Sequence, residues 1–75
     1  MKITGTSSYI KIEIEGRVIK IPGEMVVGGF IAYKDSMKQW EPPHDTEELT
    51  EDMKLYIIGK VIKKTKGTHM VIDFE

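Results

Sequence analysis

The first part of the chain alternates apolar and polar residues, which is the pattern of strands that bury one face. In the segment Tyr9 to Glu15, every second residue is isoleucine, and lysine or glutamate stands between them. Because successive strand side chains point to opposite faces, the isoleucines form a buried face and the charged residues a wet one. The segment Arg17 to Ile21 continues the pattern after Glu15-Gly16, where glycine supplies the positive φ of a tight turn. The sequence therefore predicts a β-hairpin.

The register of this hairpin follows from its two-residue loop. Isoleucine faces isoleucine at both core positions, in the pairs Ile10–Ile21 and Ile12–Ile19. On the solvent face the same register sets Lys11 opposite Lys20, an unfavourable pair that the diagonal Glu13 could relieve.

After the hairpin, short apolar runs alternate with turn residues. Pro22-Gly23 is predicted to end the hairpin, because proline cannot donate to a ladder of hydrogen bonds. Residues 25–27 and 30–33 are apolar and flank Gly28-Gly29, which indicates one bulged strand or two short strands across a bend, largely buried in either case. Residues 1–4 predict another short strand.

A polar, proline-bearing loop over residues 34–45 leads to a predicted helix. Thr50 is a suitable N-cap, because its hydroxyl can accept a free backbone N–H. Apolar residues at positions 57, 58, 61 and 62 form one stripe, with Tyr56 turned away from its centre. Gly67 is placed to end the helix, and the alternation over residues 69–75 predicts a closing strand.

This order of elements predicts an α+β protein. We expect a small twisted, mostly antiparallel β-sheet of about four to five strands, packed against one main C-terminal α-helix. The length of 75 residues fits a single domain spanning residues 1–75. With 40% hydrophobic and 31% charged residues, the composition is that of a folded domain and not of a disordered chain.

Charge and cysteine content exclude several classes of function. Eleven basic and twelve acidic residues leave a formal charge of −1, which gives no general attraction to nucleic acid or to an anionic membrane. The absence of cysteine excludes disulfides, thiolate zinc sites and cysteine nucleophiles. No apolar run reaches the roughly 20 residues of a membrane span, and no signal peptide is recognisable. We therefore expect a cytoplasmic protein with no membrane partner.

No group of residues matches a known catalytic or cofactor-binding pattern. His44 and His69 are far apart in the chain and have no cysteine to complete a set of zinc ligands. Gly28-Gly29 lacks the lysine and the spacing of a phosphate-binding loop, and no serine has the setting of a nucleophile. The prediction is a protein that is not an enzyme and that uses no cofactor and no metal.

Trp40, the only tryptophan, is followed by Glu41 and then by Pro42 and Pro43. Prolines stiffen a loop, and a stiff loop suits two roles. The tryptophan could close the sheet edge as a lid, with its indole N–H held by a loop carbonyl. It could equally be an aromatic anchor for a partner, presented at low entropic cost.

Two charged features also have two explanations each. Glu24, beside a turn, could accept backbone N–H groups of that turn or contact a partner. The lysines near the end of the helix could bind nucleic acid with Trp40 as a stacking platform, which would make binding strongly salt-dependent. A solvated helix terminus explains the same lysines, which are Lys60, Lys63, Lys64 and Lys66.

The segment from Pro22 to Pro43 resembles the central motif of the bacterial family called immunity protein 74. The resemblance is carried by Pro-Gly-Glu-Met at 22–25, Gly28-Gly29-Phe30, Tyr33 and Trp40-Glu41-Pro42-Pro43. It extends more weakly over most of the remaining chain. It implies a small α+β immunity protein of a polymorphic toxin system, which binds a cognate bacterial toxin and neutralises it by occlusion, protecting the producing cell or its kin.

Under this hypothesis the partner is a cognate protein toxin. The candidate partner-binding residues are Glu24, Tyr33, Trp40, Glu41, Pro42, Pro43 and Tyr56. The alternative is a small nucleic-acid-binding domain that uses the lysine-rich helix end and Trp40. A homodimer through an exposed sheet edge is compatible with either function.

Overall fold

The computed structural model describes residues 1–75 of the chain and has an α+β fold. Five strands form one sheet in the order of the chain, and only the last pair of strands is parallel. The elements are β1 (Lys2–Gly5), β2 (Tyr9–Ile14), β3 (Arg17–Val26), β4 (Gly29–Ala32), a 3₁₀ turn (Lys34–Ser36), α1 (Glu51–Thr65) and β5 (Val71–Phe74). The predicted fold class, a mostly antiparallel sheet with one C-terminal helix, is confirmed.

The hairpin of β2 and β3 has the predicted register. Isoleucine faces isoleucine across the two strands, in the pairs Ile10–Ile21 and Ile12–Ile19. Both turn residues have positive φ, 51° at Glu15 and 78° at Gly16, which is the backbone of a type I′ turn. This turn matches the right-handed twist of the strands, and the isoleucine face is thereby directed into the core.

The like-charged pair on the other face is relieved by an aromatic ring instead of by Glu13. The ammonium of Lys20 lies 4.3 Å from the centroid of the Tyr9 ring, and that of Lys11 lies 5.9 Å from the same ring. Glu13 forms no ion pair with either lysine. The prediction for Glu13 is therefore wrong, since Tyr9 offers both cations the negative face of its ring.

The hairpin of β2 and β3 ends at Pro22-Gly23 as predicted, since the last pair of its ladder is Tyr9–Pro22, but the chain does not turn there. β3 continues to Val26 and changes its partner at this point, because residues 17–22 pair with β2 and residues 23–26 pair with β4. Pro22 has no backbone N–H that would need a partner where the pairing changes, and its carbonyl accepts a hydrogen bond from the Tyr33 amide at 2.9 Å. A Cβ at Gly23 would collide with the carbonyl oxygen of Ile31. The dipeptide thus marks a change of partner along one strand.

The second hairpin, β3–β4, turns at Val27-Gly28, where Gly28 has a φ of 81°. Of the two predicted alternatives, two short strands across a bend is the correct one. The expectation that both runs are largely buried is wrong for the first run. Val27 is fully exposed at the tip, whereas Phe30 and Ala32 of the second run are buried.

The core lies between the isoleucine face of the sheet, α1 and the loop before α1. Its buried apolar residues are Ile10, Ile12, Ile14, Ile19, Ile21, Phe30, Ala32, Met37, Trp40, Leu49, Ile57, Val61 and Ile72. α1 packs against β5. It is too short and too polar to qualify as a candidate membrane span.

The helix begins as predicted, with the Thr50 hydroxyl accepting a hydrogen bond from the Met53 amide at 3.2 Å. Its buried stripe is narrower than predicted and is shifted towards Ile57, Val61 and Thr65, while Ile62 is 38% exposed. The reason is a polar contact, because the buried Thr65 hydroxyl accepts a hydrogen bond from the Ile72 amide of β5 at 3.1 Å. That bond fixes which side of the helix faces the sheet.

Candidate partner-binding surface

The first half of β3 has one edge that no strand covers, because β4 pairs only with the second half. The loop between the 3₁₀ turn and α1 lies along this free edge. The Glu41 amide donates a hydrogen bond to the Val18 carbonyl of β3 at 2.8 Å. A carbonyl that would otherwise lack a partner is satisfied in this way, and the loop is fixed against the sheet.

Trp40 lies next to this hydrogen bond and is buried, with 3% of its surface exposed. Its ring belongs to the core, together with Met37 and Leu49 of the same loop. The indole N–H has no hydrogen-bond partner in the protein. Every fully buried side-chain polar atom of the protein has such a partner, so the indole N–H is in contact with solvent. The expectation that a loop carbonyl holds the indole is therefore wrong. The burial of the ring favours the role of a lid.

The Glu47 carboxylate attaches the loop to β3 at a second place. Glu47 accepts hydrogen bonds from Arg17 Nε through Oε1 at 2.7 Å and from His44 Nδ1 through Oε2 at 2.6 Å. The bond from His44, and then that from Arg17, lowers the pKa of Glu47 below its usual 4.5. Sequence reasoning missed this cluster, because Arg17 and Glu47 are distant in the chain and no local pattern joins them.

His44 is thus engaged by a carboxylate in the loop. No group of three or more His, Cys, Asp or Glu side chains could hold a metal ion. His69, the other histidine, lies in the exposed turn that precedes β5.

Glu24 and Tyr33 lie on the face of the sheet that points away from α1. Glu24 is opposite Ile31 in the β3–β4 ladder, and Tyr33 follows the end of β4 beside Pro22. The alternation of the two strands makes these side chains diagonal neighbours, and both are exposed. The Glu24 carboxylate forms no ion pair, so an ion pair within the protein does not account for a carboxylate at this position.

The proline loop is a second, separate group of candidate residues. Pro42 and Pro43 are exposed and the Glu41 side chain is half-buried. The loop is bound to Val18, and an extended strand places Val18 and Glu24 about 20 Å apart. The structure therefore does not bring all the candidate residues into one small patch.

Tyr56 lies in the largest concave surface of the protein, which has a volume of about 620 Å³ and which we call the lysine groove. It is lined by Met1, Ile14, Glu15, Tyr56, Lys60, Lys63 and Lys64. Tyr56 is half exposed, with the Lys60 ammonium 5.8 Å from its ring centroid. The sequence predicts that Tyr56 points outward, but the groove forms only when the first hairpin meets α1.

A smaller cleft of about 320 Å³ adjoins the lysine groove, since both are lined by Ile14 and Glu15. This second cleft, the tryptophan cleft, is also lined by Trp40, Arg17, Glu47, Glu48, Thr50 and Met53. The two concave surfaces together connect the proline-bearing loop to the middle of α1.

Comparison with known proteins gives one match. Residues 2–75 match the family model of immunity protein 74. Neither a curated protein nor a solved structure matches the chain significantly. The resemblance predicted from the motifs between Pro22 and Pro43 is confirmed, and it extends over nearly the whole chain.

If Trp40 is the lid of the core, replacing it should destabilise the fold. We expect Trp40→Ala to lower the free energy of unfolding by about 3–5 kcal/mol, the usual cost of removing a buried aromatic ring. Urea denaturation at pH 7 measures this value. Tyr33→Ala, which removes an exposed aromatic side chain, is the control and should change stability by only about 0.5 kcal/mol. A Trp40→Ala protein as stable as the wild type would contradict the lid.

The bonds to Glu47 should make stability depend on pH. Because the folded state lowers the pKa of Glu47 below 4.5, the ionised carboxylate stabilises the fold above that value. This contribution is lost as the pH falls through the lowered pKa. Wild type should therefore melt at a higher temperature than Glu47→Gln at pH 7, and the difference should close in acid. Glu48→Gln, which alters an unpaired neighbour, should show no such difference. If the difference in melting temperature between wild type and Glu47→Gln did not vary with pH, this account would be wrong.

Proposed function

The chain belongs to the immunity protein 74 family, and from this premise we propose that it binds and neutralises a cognate bacterial toxin, protecting the producing cell or its kin. The mechanism proposed is occlusion without turnover, in the cytoplasm and without cofactor or metal. The observation that carries the proposal is the extent of the family match. It covers residues 2–75, so the elements that form the two clefts and the proline loop all lie within the matched segment.

The fixed loop supports binding as the mechanism. A surface that is already ordered loses less conformational entropy when a partner binds. The loop is held by the Glu41 amide, by the buried Trp40 ring and by the contacts of Glu47. Its outward residues, Pro42 and Pro43, are thereby presented in a fixed position. In this proposal Trp40 acts indirectly, by supporting the loop that contacts the toxin.

The size of a stable interface supports a footprint larger than this loop. A typical partner buries about 800 Å² on its side, which is about one sixth of the 5028 Å² surface of this protein. We propose that the toxin covers Glu41, Pro42 and Pro43, crosses the tryptophan cleft and reaches Tyr56. Glu24, further along β3, and Tyr33, just after β4, would be contacts at the margin of this footprint.

The alternative, a nucleic-acid-binding domain, is based on two features, the lysine-rich helix end and Trp40, and the second is not supported. It requires Trp40 as a stacking platform, and stacking needs an exposed ring face. Trp40 is 3% exposed and is part of the core, so the alternative depends on the lysines alone. Homodimerisation through an exposed sheet edge stays a prediction that is compatible with toxin binding.

Co-expression with the toxic domain of the cognate toxin tests the proposed function. We expect wild-type protein to restore growth and to co-purify with the toxin domain. The double variant Pro42→Ala/Tyr56→Ala, which trims exposed side chains at both ends of the proposed footprint, should fold normally and protect less. Val27→Ser, at the exposed tip of the β3–β4 hairpin, is the control and should protect fully. If wild type neither protects cells nor binds the toxin, the proposal is wrong.

A further inference from the structure

The lysine groove has a chemistry that identifies the kind of toxin segment it would receive. We propose that it binds an acidic segment of the toxin, in which two or more Asp or Glu side chains stand close together. This inference rests on the proposed function, because it assigns one part of the toxin contact to one part of the surface.

The charge in the groove is not neutralised within the protein. Lys60, Lys63 and Lys64 line it, against Glu15 as the one acidic lining residue. None of these four residues takes part in an ion pair, since the ion pairs of the protein join other groups. The whole chain has a formal charge of −1, so the positive excess is local to this surface.

Capping of the helix accounts for only part of this cluster. Lys63 and Lys64 lie in the last turn of α1, where cations complement the negative end of the helix dipole. Lys60 lies before that turn, four residues after Tyr56 and four before Lys64. Residues four apart are neighbours on a helix surface, so Tyr56, Lys60 and Lys64 share one side of α1. Like charges at this spacing destabilise a helix when no anion separates them. An acidic partner would remove that repulsion.

The shape and lining of the groove favour a protein segment. A volume of about 620 Å³ is enough for several side chains, and the lining combines the buried Ile14 with the ring of Tyr56. The lysine stems add apolar surface beneath their ammonium groups. Such a groove can receive an apolar side chain between carboxylates.

The same lining is poorly suited to nucleic acid. From Lys60 to Lys64 the helix rises only about 6 Å, which is too short a row of cations for the many phosphate contacts that give nucleic-acid affinity. Tyr56 is the one aromatic residue available for stacking there.

The groove is also continuous with the footprint proposed above. Ile14 and Glu15 line both the lysine groove and the tryptophan cleft. A toxin seated on the proline loop therefore has the groove within reach. Binding of an acidic segment there would add ionic attraction, which raises the rate of association and weakens with salt.

Charge reversal tests the inference. The double variant Lys60→Glu/Lys63→Glu spares Lys64, whose ammonium donates to the Met1 carbonyl at 2.8 Å. Its affinity for the purified toxin domain, measured by calorimetry at low salt, should fall at least about tenfold, with a smaller fall at high salt. The matched control, Lys34→Glu/Lys38→Glu, makes the same change of charge outside the groove and should bind within about threefold of wild type. Melting curves establish that both variants are folded.

The outcomes separate this inference from the proposed function. If wild type binds the toxin and the groove variant binds equally well, the acidic-segment inference is wrong and the function stands. If wild type does not bind the toxin, both are wrong. Exchange of acidic toxin residues for lysine should restore binding to the groove variant, which would identify the segment. If a fluorescent single-stranded oligonucleotide binds wild type at low salt and not the groove variant, the groove is a nucleic-acid site and the inference is overturned.

Discussion

The structure depends on how the unpaired half of β3 is covered. This strand pairs with β2 along its first half and with β4 along its second, so the first half is left with an open edge. The Glu41 amide bonds the Val18 carbonyl on that edge, and the Trp40 ring fills the core behind it. Without this cover, the isoleucine face would be open to water beside α1. The loop is therefore part of the core.

The same constraint gives the protein a fixed outer surface. The buried Trp40 places Pro42 and Pro43 outward, and Glu47 joins the end of the loop to the start of β3 through Arg17. The contact between the first hairpin and α1 produces the lysine groove on the adjoining side. A preformed surface loses little conformational entropy when a partner binds, which matters most for a protein with a small contact area.

Much of this fold follows from the sequence. Strict alternation of isoleucine fixed the register of β2 and β3, since a shift of one residue would turn the apolar face to water. Thr50 and Gly67 predicted the two ends of the helix. The Thr50 hydroxyl caps its N-terminus, and Gly67 follows its C-terminus with a φ of 82°. These features are local, and each depends on neighbours within a few residues.

What the sequence did not reveal depends on contacts between distant segments. Pro22-Gly23 has the pattern of a turn, and only the close approach of Ile31 shows that the strand continues and changes partner. The bond between Arg17 and Glu47 has no local pattern. The motifs that carried the family resemblance also mix two roles, because Gly23 and Trp40 hold the fold while Glu24 and Pro43 face solvent.

Hydrogen exchange at the Glu41 amide tests the central claim most directly. If the loop is an integral part of the core, this amide should exchange as slowly as the amides at the centre of β3, through global unfolding. Asp45, an exposed residue of the same loop, provides the rate of an unprotected amide. Exchange of Glu41 at a rate close to that of Asp45 would show that the loop opens independently, and would contradict the account.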